Sequence, residues 1–485
     1  MTTCAAVSAV VCAAWVARVT AGLCSVTEEG CERDYRSRWG NDGSVTPKRI
    51  LVVGAGHVGL YAALRLSKKL SSREAEVIVV DPQPHMTYQP FLPEAAAGNI
   101  SPRHSVVPLR RELRRCTVVA GAVTRIDHAS RTATVQPIIG PPRDIAYDHV
   151  VIAPGSVSRT LPIPGLHEHG IGFKTIGEAI YLRNHVLEQL DVAAATTDPE
   201  VRRRALTFVF VGGGYAGIEA LAEMEDMARH ALKYYPELNT SDMRWVLVEA
   251  TQRVLPEVDR DMGAYTVQQL LKRDMDIRLD TRLESCVDGV VKLSDGDSFS
   301  SDTIVWTAGV KPSPMLDATD FPREERRRVT CLPTLQVVDG DRVVEGAWSA
   351  GDCAAVPDLT KPPGNYCSPS AQHAVRQAQR MADNIVAVIR GREPVDYKHK
   401  HAGSVASLGL HKGVAQVYGI KMTGWPAWFM HRTYHMSRIP SLNRKVRVVV
   451  DWTLAFFLKR EVVALGQLHD PREEFAEASQ PPAKV

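Results

Sequence analysis

A chain of 485 residues is too long for one ordinary hydrophobic core and points to two or three domains. Apolar content of 45% and charged content of 23% are those of a soluble globular protein, and a formal net charge of +3 excludes a nucleic-acid footprint at the level of the whole molecule. The nine cysteines include no CxxC or CxxxxC pair, which excludes a disulfide scaffold and a zinc site and suits a reduced, cytosolic setting.

Residues 1–46 differ in character from the rest of the chain. Residues 5–26 are rich in Ala and Val, interrupted by Arg18, and Met1-Thr2-Thr3 lacks the basic start of a signal peptide. Alanine is weakly hydrophobic and Arg18 is costly in mid-span, so a poorly ordered extension, or a start codon placed too early, is preferred over a membrane anchor. Residues 28–48 read as a polar linker.

Regular structure begins at Arg49-Ile-Leu-Val-Val53, a buried parallel strand by its unbroken apolar run. It leads into Gly54-Ala-Gly56-His-Val-Gly59, a helix over 60–70, a second strand Val77-Ile-Val-Val80, and Asp81. Gly54 makes the tight turn, Gly56 admits a pyrophosphate, and Gly59 lets helix pack on strand. The helix start then offers free N–H groups and its positive end to the phosphates, while Asp81 accepts from the ribose hydroxyls. A lone glycine fingerprint is weak evidence; strand, glycines, helix, strand and acid in order are much stronger.

The pattern recurs. Leu206-Thr-Phe-Val-Phe-Val211 precedes Gly212-Gly-Gly214-Tyr-Ala-Gly217, a helix over 218–235, the strand Trp245-Val-Leu-Val248, and Glu249. A carboxylate binds a ribose 2′-hydroxyl but repels a 2′-phosphate, so Glu249 favours NADH over NADPH, and Arg253 nearby would soften that preference. Two fingerprints in one chain suggest electron transfer between two bound dinucleotides. Glu219 stands in the first turn of the second helix, either as an acid complementing the helix start or as a group beside the nicotinamide.

Three strand-and-turn segments close the domains. Val150-Val-Ile-Ala-Pro-Gly155 and Ile304-Val-Trp-Thr-Ala-Gly309 share one form, and Trp348-Ser-Ala-Gly351-Asp352-Cys353 ends in an acid at a helix start. Asp352 reads either as an acceptor for a polyol such as a ribityl chain or as an N-cap. A helix over 370–390 carries Gln372 and Arg376 on one face, with Gln377 following.

From Lys398 the composition shifts. Residues 401–418 are strand-like and punctuated by glycine, and Trp425-Pro-Ala-Trp428-Phe-Met-His-Arg-Thr-Tyr434 gathers aromatics. Basic residues Lys445, Arg447, Lys459 and Arg460 flank Trp452 and Phe456, as in helices that lie on an anionic bilayer surface with their aromatics below the headgroups. A dimer interface or a cover for the core is the competing use of this region.

Over 49–460 the chain resembles the type II NADH:quinone oxidoreductases, single-subunit flavoenzymes with two dinucleotide-binding domains. The resemblance rests on both fingerprints, Gly351-Asp352, Ala371-Gln372-His-Ala374, the tail over 403–460, and Met86-Thr-Tyr-Gln89-Pro90-Phe-Leu-Pro93, similar to the family's loop beside the flavin ring. It implies FAD at Gly54, Gly56, Gly59, Asp81, Gln89, Pro90, Gly155, Gly351 and Asp352. It implies NADH at Gly212, Gly214, Gly217, Glu219, Glu249 and Gly309. It also implies a quinone near Ala371, Gln372, Arg376 and Gln377. The family often has glutamine where this chain has Arg376, which would hold a quinone carbonyl or narrow its tunnel.

The expected architecture is α/β, with two Rossmann-type domains and a small C-terminal membrane-attachment region. FAD would take residues 47–166 and 330–395, NADH 167–329, and attachment or dimerisation 396–485. The expected activity is hydride transfer from NADH to FAD, then two electrons to a membrane quinone without proton pumping, at the cytoplasmic face of the cell membrane. Two alternatives are the same fold with another acceptor (sulfide:quinone or ferredoxin-reductase-like) and a non-enzymatic redox sensor. Disulfide reductases of this fold carry a CxxxxC after the first helix, and no cysteine lies between Cys31 and Cys116. A redox pair of Cys353 and Cys367 is disfavoured.

Overall fold

A computed structural model describes residues 46–400, 402–458 and 460–464. The readings of residues 1–45, His401, Lys459 and 465–485 fall outside the described residues. In chain order the elements that matter are β1 (Lys48–Val53), α1 (His57–Lys69), β2 (Ala75–Asp81), α2 (Leu92–Ala96), β3 (Thr117–Asp127), β4 (Thr132–Pro137), β5 (Arg143–Ala146) and β6 (His149–Ile152). They are followed by β7 (Gly170–Gly172), α3 (Ile176–Ala195), β8 (Thr207–Val211), α4 (Tyr215–Ala231), β9 (Arg244–Val248), β10 (Asp276–Arg278) and β11 (Thr303–Trp306). The last group is β12 (Gln336–Asp339), β13 (Arg342–Ser349), α5 (Ala371–Ile389), β14 (Gly403–Ser407), β15 (Gly413–Val417), β16 (Ile420–Thr423), α6 (Gly424–Arg438) and α7 (Leu442–Leu458).

Two sheets carry the two fingerprints. The first has the order β12-β13-β6-β1-β2-β3-β4-β5, and its five strands from β13 to β3 are parallel. The second, all parallel, is β7-β11-β8-β9-β10. In each, the fingerprint strand lies mid-sheet, so its apolar run is covered on both faces and the phosphate loop emerges at the carboxyl edge. All strands of the first sheet come from 48–152 and 336–349, and all those of the second from 170–306. The mixed α/β class with two Rossmann-type sheets agrees with the sequence expectation.

Two readings shift. The second fingerprint helix starts at Tyr215, because Gly214 already caps it, so Glu219 falls in its second turn. Glu219 is therefore not the acid that complements this helix start; the first turn holds no acid. Asp352 sits inside a single 3₁₀ turn, Gly351–Cys353, and α5 begins later with Ser370 as cap, its hydroxyl accepting from the N–H of His373 at 3.2 Å. Asp352 is thus not an α-helix cap.

The C-terminal region forms the three-stranded antiparallel sheet β14-β15-β16 and the helix pair α6 and α7. Helix α6 packs on β14 and β15. Among the described residues no helix is long and apolar enough to cross a membrane.

Candidate active site

The two phosphate loops are built alike, down to single atoms. Gly54 has φ +89° and Gly212 φ +115°; a Cβ on either would run into the end of the neighbouring strand, at Ala153 and Thr307 respectively. A Cβ on Gly59 or Gly217 would overlap the carbonyl of Gly54 or Gly212. In contrast, a Cβ on Gly56 or Gly214 would meet nothing within 4 Å. Two glycines of each loop serve close packing, and the third keeps open the space before the helix, where a pyrophosphate sits. Gly155 (φ +69°) and Gly309 (φ +97°) repeat the correspondence, each turning the chain beyond β6 or β11 into open space.

The acids match as well. Asp81 accepts from the N–H of Ala55 at 2.6 Å and of Gln83 at 2.7 Å. Glu249 accepts from the N–H of Gly213 at 2.5 Å and of Thr251 at 2.8 Å. Each carboxylate ties the middle of its loop to the end of the next strand and keeps lone pairs for a ligand hydroxyl. Burial pushes the Asp81 carboxyl above its ordinary range, against the pull of those two N–H groups. Arg253 is turned away, donating to the carbonyls of Pro256 and Val258, the latter at 2.7 Å.

Beside the first loop, the Ser156 hydroxyl donates to Asp352 at 2.6 Å and receives a bond from Lys174 Nζ at 2.9 Å. His57 opens α1 next to them. Burial lowers its pKa to about 4, partly opposed by Asp352 and reinforced by Lys174. Its Nε2 is buried and has no hydrogen-bond partner among the described residues. An uncommitted imidazole nitrogen, an acid and a lysine beside an open glycine fit a large cofactor with polar ring edges and a hydroxylated chain. Gln89 reaches the Lys174 carbonyl at 3.3 Å, with Pro90 half-buried behind it. The sequence reading missed His57, Ser156 and Lys174; only the position of His57 inside the fingerprint could have signalled it.

Helix α5 divides its polar residues. Gln377 is buried, and its side-chain oxygen accepts from the N–H of Gly351 at 2.8 Å, so it positions the turn bearing Asp352. Gln372 is half-buried: its amide donates to the Gly403 carbonyl at 3.3 Å, and its oxygen accepts from the N–H of Ala402 at 3.1 Å. Arg376 donates to the Gln372 carbonyl at 3.0 Å, one turn back, while Ala371 is exposed at the helix start. A cleft of about 470 Å³ lies beside Gln372, lined by Glu257, Lys400, Ala402, Gly403, Gln416 and Tyr418 among others.

Glu219 is buried and faces the C-terminal region. Its Oε1 accepts from the Ser407 N–H at 2.9 Å and lies 2.9 Å from His431 Nε2 on α6. Glu223, one turn on, accepts from the Ser407 hydroxyl and the Asn99 amide, both at 2.9 Å. Glu94 on α2 pairs with Arg432 at 3.0 Å and accepts from Trp452 Nε1 at 2.7 Å. Trp452 also packs edge-on against Phe91 at 5.9 Å. It faces inward, which corrects the expectation that it lies under lipid headgroups: its indole N–H found a buried carboxylate. The outward stripe of α7 is Leu442, Val446, Val450 and Leu454, with Phe456, Phe457 and Leu458 exposed at its end. Arg444, Lys445 and Arg447 also stand on α7.

Residues 48–378 match a family described as pyridine nucleotide-disulphide oxidoreductase. The chain belongs to that family. This oxidoreductase is 29% identical over 437 residues to the type II NADH:quinone oxidoreductase Ndh of Mycobacterium tuberculosis, covering 87% of this chain and 89% of that one. It is 26% identical to the external alternative NADH-ubiquinone oxidoreductase of Yarrowia lipolytica mitochondria, covering 86% and 80%. Its fold superimposes on NDH2 from Plasmodium falciparum in complex with NADH, with a TM-score of 0.79 and 16% identity, over 86% of this chain and 99% of that one. The family's name refers to a disulphide, yet Cys353 and Cys367 are buried, and burial pushes both thiols up to about 11, away from nucleophilic use.

Proposed function

We propose that the protein is a non-electrogenic NADH:quinone oxidoreductase that holds FAD in the first fold, takes hydride from NADH in the second, and passes two electrons to a membrane quinone. The atom-by-atom repetition of the open glycine, packed glycine and loop-binding acid carries this reading, because one such cradle serves a resident dinucleotide and the other a coenzyme that comes and goes. Relatives named for NADH and quinone, aligned along most of the chain, support it.

FAD would be held by Gly54, Gly56, Gly59 and Asp81 at its adenosine half, and by Asp352, Gly155, Lys174 and the Gln89-Pro90 turn toward the ring. Bound flavin supplies the two-electron chemistry, and the protein supplies orientation and charge. Glu249 selects a free 2′-hydroxyl, with Arg253 committed elsewhere. Gln372, bonded to Ala402 and Gly403 of the cleft wall, and Arg376 one turn along the same helix would face the quinone. The outward stripe of α7, with its basic residues, would rest the molecule on the bilayer at the cytoplasmic face, where the acceptor is dissolved; an interface with a second copy is the competing use.

The test is a titration. Purified protein should show a flavin spectrum that NADH bleaches and a soluble quinone restores. A colourless protein, or bleaching with no recovery on adding quinone, would refute the assignment.

A further inference from the structure

Between α5 and β14 the chain doubles back along the helix it has just left. Val395 exchanges two hydrogen bonds with the Asn384 side chain, at 2.8 and 2.9 Å. Two residues on, the hydroxyl of buried Tyr397 meets His373 Nδ1 at 2.9 Å. His399, Ala402 and Gly403 then close on Gln372 in the first turn of α5. This strap runs antiparallel to the helix, from its last third to its start. Its residues Lys400, Ala402 and Gly403 also line the cleft.

Two main-chain groups settle which way the Gln372 amide points. The Ala402 N–H can only donate, and it reaches Oε1 at 3.1 Å; the Gly403 carbonyl can only accept, and it takes an N–H from Nε2 at 3.3 Å. His399 Nε2 lies 3.1 Å from the same Oε1, so it faces a lone pair and must carry a proton. An amide oxygen has two lone pairs, and Ala402 and His399 take both. Among these bonds the amide keeps only its second N–H for a ligand.

We propose that His399 is a positioning residue that makes Gln372 a donor only, and that the acceptor site therefore holds a quinone in preference to its quinol. This rests on the reading that the acceptor is a quinone and meets Gln372. An oxidised quinone presents carbonyl oxygens, which accept and never donate, so the remaining N–H suits it. A quinol presents hydroxyls, each with a proton that needs a lone pair. With both lone pairs of Gln372 filled, that proton finds no acceptor there, and a polar group left unpaired away from water is costly. Arg376 has the same polarity, since a guanidinium donates and never accepts. Product is thereby loosened as it forms. Removing the His399 N–H frees one lone pair of Oε1, yet Ala402 and Gly403 still hold the amide, so its orientation survives while its one-sidedness is lost.

The experiment measures the inhibition constant of a soluble quinol relative to KM for its quinone. In His399→Leu that ratio should fall about fivefold or more, the worth of one hydrogen bond, while NADH bleaches the flavin at the wild-type rate. His399→Gln returns an N–H at the same reach and should restore the ratio. Nitrogen-15 spectra of histidine-labelled protein give a readout without turnover: the resonance that disappears in His399→Gln should carry its proton on Nε2. A ratio within about twofold of wild type in His399→Leu, the same fall in both variants, or a proton on Nδ1 alone would overturn the proposal. Gln372→Leu separates it from the reading beneath it. Raised quinone KM in Gln372→Leu with an unchanged ratio in His399→Leu strikes the role of His399 alone. Quinone kinetics untouched by Gln372→Leu would remove the placement of the quinone, and the proposal with it.

Discussion

Asp81 and Glu249 act on their own loops as well as on any ligand, and this sets what their replacement should do. Glu249→Ala removes the charge that repels a 2′-phosphate and also frees the Gly213 and Thr251 N–H groups it binds. Glu249→Gln keeps an acceptor and drops only the charge. Both should lower the ratio of kcat/KM for NADH over NADPH by about tenfold or more, a difference of about 1.4 kcal/mol. Steady-state rates with the two coenzymes measure it, and an unchanged ratio in both variants would refute the selectivity argument. His431 adds a pH dependence. Its folded pKa lies above 6.5, so the stability it contributes is complete below that value and is lost as pH rises through the folded one. The melting-temperature advantage of wild type over His431→Gln should therefore be largest near pH 6 and shrink on alkalinisation; a constant difference would refute it.

The glycine loops separate packing from binding at the scale of one element. Gly59→Ala and Gly217→Ala force a Cβ onto a backbone carbonyl and should destabilise the fold by roughly 1–3 kcal/mol. Gly56→Ala meets open space, so its melting temperature without cofactor should stay near wild type while flavin content of the purified protein falls. Thermal melts and absorbance at the flavin band decide between these outcomes. Such elements were legible in the sequence because strand, turn and helix are local and glycine has few other reasons to recur at that spacing. Glu219 was harder. Its position in the second turn follows from where Gly214 caps α4, and its partners Ser407 and His431 lie 188 and 212 residues away along the chain, a separation that no local pattern carries. Trp452 misled for a related reason: an amphipathic helix with aromatics reads as interfacial until Glu94, from a remote segment, claims the indole N–H.

At the scale of the whole molecule, the C-terminal helices face two ways. Their inner side is tied to the fingerprint folds, and the outer stripe of α7 stays apolar and solvent-facing. Leu454→Glu together with Phe457→Glu places two charges on that stripe without touching a described internal bond. Co-sedimentation with vesicles of anionic phospholipid should then fall by about tenfold or more, since each buried Leu or Phe is worth about 1.5–3 kcal/mol. Undiminished sedimentation would move the attachment elsewhere, and a loss of dimer with unchanged vesicle binding would assign the stripe to self-association.

The single helix α6 holds both halves of the machine at once: Tyr61 of α1 donates to the Arg438 carbonyl at 2.5 Å, and His431 grips Glu219 of α4. A bolt through both plates leaves little room for a hinge. The distance electrons must cross would then be fixed at folding rather than reset by closure in each cycle, and the pace of the enzyme would be governed by the arrival and departure of its two diffusing substrates.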